Sequence, residues 1–243
     1  MIAVQFDRVA KSFARHAGRM LIRQRLKHWL WGGRHQRFQA LTDVSFALRH
    51  GECLGIVGPN GAGKSTILNL ITGLCLPTGG RVTVNGKVAP LLELGSGFHL
   101  DLTGAENVRL NAAMLGLSRK QAAERFPAIV EFAGIGDFIN EPLRTYSSGM
   151  MMRLAFAVAA HVNADILALD EVLGVGDQAF LEKCAQRIKD FRNAGKTLIC
   201  VSHSLNSIES LCHRAIWLDH GRVIQDGPAA AVLSAYRGTS GRV

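Results

Sequence analysis

Nine consecutive residues, Gly58 to Thr66, read GPNGAGKST and fit the pattern G-x-x-x-x-G-K-[ST]. Glycines at these offsets let the backbone turn tightly, so that successive N–H groups point at an anion. Lys64 is expected to reach the outer phosphates of a nucleotide, and Ser65 to offer its hydroxyl to Mg²⁺. The pattern therefore predicts a nucleoside triphosphate site formed by Gly58, Pro59, Asn60, Gly61, Ala62, Gly63, Lys64, Ser65 and Thr66.

An acidic pair follows an apolar run further along the chain. Ile166 to Leu169 predicts a buried strand, and Asp170 and Glu171 come at its end, where open α/β sheets collect their ligands. Asp170 would hold Mg²⁺ through water, and Glu171 would orient the attacking water or accept its proton. The alternative is that the pair only begins a helix, where acidic residues are favourable.

Two further features could face a nucleotide. His203 follows the apolar strand predicted at Thr197 to Val201, and its ring could donate a hydrogen bond to the terminal phosphate; the alternative is an ordinary loop histidine. Ser147 or Ser148 could cap the helix predicted at 149–161, and the N–H groups of that helix could receive an anion. Spacing alone does not separate this second interpretation from an ordinary helix cap.

An α/β fold is needed to bring these residues together. Buried strands alternate with helical patterns from Cys53 onwards, which predicts a parallel sheet. Alternating strands at 2–6 and 41–48 precede it, and Asn85-Gly86 predicts a hairpin between 81–84 and 87–92.

Two more elements complete the predicted organisation of a single domain, 1–243. Helical spacing predicts a helical subdomain from about 101 to 162, inserted in the α/β core. Near the C-terminal end, strands at 214–218 and 223–225 are expected to form a small sheet of their own, followed by a last helix.

The net charge of +9 is concentrated in one segment. Residues 8 to 42 hold nine of the 28 Lys and Arg and no Asp or Glu. Within them, 18–36 predicts an inserted basic amphipathic helix. It could pack on the domain, lie at a membrane surface or against a membrane partner, or bind single-stranded nucleic acid.

The sequence also predicts where the chain is located. No apolar run is long enough to span a bilayer, and no signal peptide is apparent. The five cysteines are expected to be reduced, so a cytoplasmic chain is expected.

The order of these motifs resembles the ATP-binding cassette (ABC) ATPases, in which a RecA-like phosphate-loop core carries an antiparallel β subdomain and an inserted helical subdomain. The resemblance covers nearly the whole chain. It implies that Ser147, Ser148 and Gly149 form a signature motif, which contacts ATP bound to the opposite protomer of a head-to-tail homodimer holding two ATP. It also implies that Asp177 follows the acidic pair in a nucleotide-contacting loop, and that Phe13 stacks on adenine.

Segments 91–98 and 102–108 are similar to the ATPase subunits of bacterial exporters of O-antigen, capsular polysaccharide and teichoic acid. That resemblance implies an ATPase on the inner face of the inner membrane, a separate transmembrane permease that contacts the lipid-linked polysaccharide, and no nucleic-acid ligand. Glu93 stands where most of the family has Gln, as a possible Mg²⁺ ligand. No C-terminal carbohydrate-binding domain is expected. The alternatives are a soluble ABC ATPase of DNA repair or translation and a small-solute importer.

Overall fold

The computed structural model describes residues 1–14, 37–91, 95, 97–170, 177–202 and 204–240 of the chain. The inserted basic helix predicted at 18–36 lies outside the described residues, as do Glu93, Glu171 and His203. No helix among the described residues is both long and apolar enough to cross a bilayer.

The described residues form nine strands. They are β1 (Ile2–Ala14), β2 (Arg37–Arg49), β3 (Cys53–Val57), β4 (Gly79–Val84), β5 (Val88–Leu91), β6 (Ile166–Asp170), β7 (Thr197–Val201), β8 (Arg214–Asp219) and β9 (Arg222–Pro228). The helices are α1 (Lys64–Ile71), α2 (Gly104–Met114), α3 (Arg119–Ala133), α4 (Ser148–Ala160), α5 (Gln178–Asn193), α6 (Leu205–Leu211) and α7 (Ala229–Ser240), with two 3₁₀ helices at Gly136–Asn140 and Leu143–Thr145.

Six strands form the central sheet in the order β5-β6-β7-β3-β8-β9. The first five are parallel and β9 is antiparallel to β8. Every residue of β3 and β7 is buried, as expected for strands covered on both faces. The predicted α/β fold is thus confirmed. The prediction of a separate small sheet for β8 and β9 is wrong, because β8 pairs with β3 and extends the central sheet.

The predicted hairpin at Asn85-Gly86 is also wrong, because its two strands belong to different sheets. β4 pairs with β1 in a three-stranded antiparallel sheet of order β2-β1-β4, whereas β5 pairs with β6 in the central sheet. The backbone N–H of Asn85 donates to Ala3 O at 2.8 Å, and the carbonyl of Lys87 accepts from the backbone N–H groups of Asp165 and Ile166. Distant strands therefore hold the two flanks of the turn apart.

The β1–β2–β4 sheet packs on the central sheet over a shared apolar core. Leu41 and Leu48 of β2, Ile56 of β3 and Ile67 of α1 are fully buried in one cluster. Arg214 also joins the sheets, since its guanidinium donates to Ala47 O of β2 at 2.8 Å. This packing sets β2 close to the loop between β3 and α1.

Helices α2, α3 and α4 share a separate hydrophobic cluster that includes Val108, Ile129 and Leu154. Thr103 and Ser118 begin α2 and α3 with capping boxes, which satisfy the first free N–H groups of each helix. The positions of α2, α3 and α4 match the helical patterns read from the sequence, while the division of the chain into subdomains stays a prediction.

Candidate active site

The phosphate-loop pattern lies between β3 and α1, so the predicted context of strand, loop and helix is confirmed. Gly63 caps α1 at φ 103°, a conformation that favours glycine. A Cβ on Gly63 would lie 2.6 Å from Ala40 O and 2.7 Å from Leu41 Cδ2. The packing of β2 against the loop therefore excludes a side chain at this position.

Lys64 is the first residue of α1, and its side chain turns back into the loop. The Nζ atom donates to the carbonyl oxygens of Gly58 at 2.8 Å and Pro59 at 3.0 Å. Burial lowers the pKa of the Lys64 ammonium, and the negative charge of Asp170 partly opposes this. The loop thus holds a buried cation within reach of its own backbone amides.

Asp170 ends β6 beside the start of α1. The Ser65 hydroxyl donates to Asp170 Oδ2 at 3.3 Å, which brings together two of the predicted magnesium ligands. Register pairing sets Asp170 opposite Val201, the last residue of β7. The carboxyl ends of β3, β6 and β7 therefore meet at one edge of the central sheet, where ligands of such sheets bind.

A cavity of about 440 Å³ opens over this edge. Its size is within the range of small-molecule sites. Its lining consists of Phe38, Ala40, Asn60, Gly61, Gly63, Lys64, Ser65, Thr66, Asp170 and Val201. The free N–H groups and positive dipole end of α1 face such a position, which suits a phosphate chain.

Phe38 in this lining was missed by sequence reasoning. It lies in β2 directly across from Phe13 of β1, the residue expected to stack on adenine. Phe38 is 53% exposed, whereas Phe13 is 41% exposed and has Lys11 Nζ at 4.9 Å from its ring centroid. The sequence feature that could have pointed to Phe38 is an aromatic residue just before the first buried residues of β2.

Ser147 is the residue that caps α4, which resolves the choice between Ser147 and Ser148. Its side chain accepts from the backbone N–H of Met150 at 3.2 Å. Ser147 and Ser148 are exposed. Within the described chain, neither of them lines the cavity over Lys64, nor does Gly149.

Asp177 also lies away from that cavity and begins α5. Its Oδ1 atom accepts from the backbone N–H of Phe180 at 2.8 Å, and its Oδ2 atom accepts from Arg153 Nη2. This carboxylate therefore caps one helix and forms an ion pair with the preceding one.

A second cavity, of about 540 Å³, lies between α2 and α3. Its lining is mostly apolar, with two arginines, and consists of Arg109, Leu110, Ala113, Leu117, Arg119, Ala122, Ala123 and Phe126. We call it the α2–α3 groove. It contains none of the predicted site residues.

Comparison with known sequences identifies the family. The sequence model of the ABC transporter family matches residues 41–174. This chain belongs to that family. It is therefore an ATPase whose reaction is coupled to transport.

Three relatives are named as export ATPases. The O-antigen export system ATP-binding protein RfbB of Klebsiella pneumoniae is 48% identical over 202 residues, covering 83% of this chain and 82% of that protein. RfbB of Myxococcus xanthus is 43% identical over 98% of this chain but only 56% of its own length. The teichoic acids export ATP-binding protein TagH of Listeria innocua is 48% identical over 83% of this chain and 60% of its own length.

A solved structure matches the fold over nearly the whole chain. The dimeric post-hydrolysis state of the ATP-binding cassette MJ0796, bound to ADP and Pi, aligns with a TM-score of 0.73 and 25% identity. The alignment covers 93% of this chain and 98% of that one. The ABC cassette fold implied by the motifs is confirmed.

Proposed function

We propose that this chain is the ATPase subunit of an exporter of a lipid-linked polysaccharide. The single observation that supports the substrate class is the 48% identity with RfbB and with TagH, whose names specify export of O-antigen and of teichoic acids. The chain works at the inner face of the inner membrane, beneath a separate permease.

The active unit is a head-to-tail homodimer with two ATP at its interface. Each phosphate loop holds one ATP, and Ser147, Ser148 and Gly149 of the second copy cover it with the N-terminal end of α4. The exposed position of Ser147, away from the cavity of its own copy, supports this arrangement. A dimeric cassette among the structural neighbours supports it too.

Mg²⁺ fits the pair formed by Ser65 and Asp170. A hydroxyl and a carboxylate 3.3 Å apart are hard oxygen donors of the kind that Mg²⁺ prefers beside a phosphate chain. When bound, the ion neutralises charge on the phosphoryl group that is transferred. Glu93 is a further candidate ligand.

Lys64, Glu171 and His203 carry out the remaining steps. Lys64 stabilises negative charge on the outer phosphates, Glu171 orients the attacking water and accepts its proton, and His203 donates to the terminal phosphate. Asp177 follows Glu171 by six residues in the sequence. Phe38, with Phe13 beside it, supports the base.

The permease is proposed to contact the α2–α3 groove. The groove combines apolar side chains with Arg109 and Arg119, and Leu110 in its lining is 40% exposed. Such a surface fits an amphipathic permease helix that carries an acidic residue.

Glu171→Gln tests the reaction. This variant should bind ATP, hydrolyse it slowly and accumulate as a dimer on size-exclusion chromatography, whereas Lys64→Ala should neither bind nor dimerise. Hydrolysis near the unmodified rate in Glu171→Gln would contradict the assignment.

A gene deletion tests the substrate class. The deletion should leave the cell without its surface polysaccharide, and the intact chain should restore it whereas Lys64→Ala should not. Unchanged surface polysaccharide after deletion would reject export.

A further inference from the structure

We infer that Arg153 is a positioning residue that fastens the start of α5 to α4, so that Ser147 and Asp177 move together during the ATPase cycle. Arg153 lies in the second turn of α4, and its Nη2 atom donates to Asp177 Oδ2. Its side chain is 27% exposed. The inference rests on the proposed role of Ser147 toward the ATP of the second copy.

The ion pair is held in one geometry by the residues around it. Asp177 accepts from the backbone N–H of Phe180 through its other oxygen, at 2.8 Å. The guanidinium of Arg153 lies 5.5 Å from the centroid of the Phe180 ring, which is buried. Arg153, Asp177 and Phe180 thus form a closed set of contacts, which favours a fixed guanidinium over a mobile surface side chain.

The same two helices are also joined where α4 ends. Arg187 of α5 donates from Nε and Nη2 to the carbonyl oxygen of Ala160, the last residue of α4, at 3.1 and 2.9 Å. Between these two contacts, the rings of Phe156 and Phe180 pack with centroids 6.0 Å apart. Helices α4 and α5 are therefore joined by hydrogen bonds at two separate places and by ring packing, as expected of elements that move as one body.

This unit connects two parts of the proposed site. Only six residues separate Asp170, at the phosphate edge of the sheet, from Asp177. Ser147 begins the helix that contains Arg153. The ion pair thus links Asp177, which follows the end of β6 closely in the sequence, to the end of α4 that covers the partner's ATP. Since partly exposed ion pairs add little stability, the contribution of Arg153 is expected in catalysis rather than in folding.

Steady-state ATPase kinetics of single and double variants test the inference. Arg153→Met removes the charge and keeps most of the apolar stem, and Asp177→Asn keeps an oxygen to cap α5. Each should lower kcat by about 10- to 100-fold, the scale of a small misplacement of reacting groups, with the KM for ATP and the melting temperature nearly unchanged. The double variant should be no slower than either single one, because both remove the same contact. Arg153→Lys should restore part of the rate.

Arg237→Met is the matched control, since Arg237 of α7 pairs with Glu209 of α6 at 3.2 Å, and neither residue belongs to α4 or α5. It should leave kcat unchanged. A fall in melting temperature with additive rate losses would show a merely structural role and overturn the inference. An unchanged kcat in Arg153→Met would also overturn the inference. If Glu171→Gln still forms an ATP-dependent dimer in that case, the proposed function stays intact. Absence of that dimer would reject the proposed function and the inference together.

Discussion

Replacing Phe38 by Ala should weaken ATP binding more than replacing Phe13. Phe38 lines the nucleotide cavity, while Phe13 is its cross-strand neighbour and is absent from the described lining. Stacking of a base on an aromatic ring contributes about 1–3 kcal/mol. Because the ring of Phe38 is half exposed, the lower part of that range applies, about 1–2 kcal/mol. At about 1.4 kcal/mol per tenfold, Phe38→Ala should raise the Kd for ATP by roughly 5- to 30-fold.

Phe13→Ala acts on the base only through its neighbour. Cross-strand aromatic pairs contribute roughly 0.2–1 kcal/mol, so the Kd should rise by at most about fivefold. Titration calorimetry of the Glu171→Gln background, which avoids turnover, measures both values. Phe38→Tyr is the matched control and should bind ATP within about twofold of the parent, because it keeps the ring.

The order of the two effects decides the assignment. If Phe13→Ala raises the Kd for ATP as much as Phe38→Ala or more, then Phe13, the residue implied by the family resemblance, stacks on adenine. An additive double variant would likewise refute the idea that Phe13 acts through Phe38, because residues in one contact are expected to couple.

Three other predictions concern the loop, the core and pH. Gly63→Ala should abolish ATP binding because its Cβ would meet backbone 2.6 Å away, whereas Gly61→Ala, at φ 79° with nothing within 4 Å, should retain measurable affinity by calorimetry. Arg214→Met removes contacts to Asp226 at 2.6 Å and Glu52 at 3.1 Å; it should cost about 1–3 kcal/mol, seen as a lower melting temperature with ATP affinity unchanged. Burial holds the pKa of His161 below 6.5, so the unfolded chain binds more protons as the pH falls through 6.5 and stability drops. His161→Gln should therefore show a shallower loss of melting temperature from pH 7.5 to 5.5, and an equal loss in both proteins would contradict this.

The phosphate loop could be predicted because its information is local. A glycine pattern between a strand and a helix fixes backbone direction over a few residues, and the structure puts 58–63 and α1 as expected. The Asn85-Gly86 hairpin was an equally local prediction. It was wrong because strand pairing is a long-range choice: β1 and β6, far away in sequence, bind its two flanks.

Phe38 was hidden for the same reason. Its position at the cavity depends on pairing between β1 and β2 and on the packing of β2 against the loop at Gly63. Neither contact follows from residue spacing. The Arg153–Asp177 ion pair, 24 residues apart, is likewise invisible in the sequence, since each residue alone is typical of an exposed helix.

The burial of the Lys64 ammonium affects both the free energy of folding and that of ATP binding. Lys64 is only 7% exposed, and burial of a cation is unfavourable unless negative charge compensates it. Asp170 supplies part of that compensation, yet the net pKa remains lowered, and the direct partners of Nζ are neutral carbonyls. A triphosphate brings several negative charges to the same atom, and charge-assisted hydrogen bonds are stronger than those to carbonyls. ATP binding should therefore raise the pKa of Lys64 and offset the unfavourable free energy of burying its ammonium on folding. Lys64→Met, which removes both the charge and its burial cost, should accordingly lose ATP affinity while keeping or raising the melting temperature measured without nucleotide.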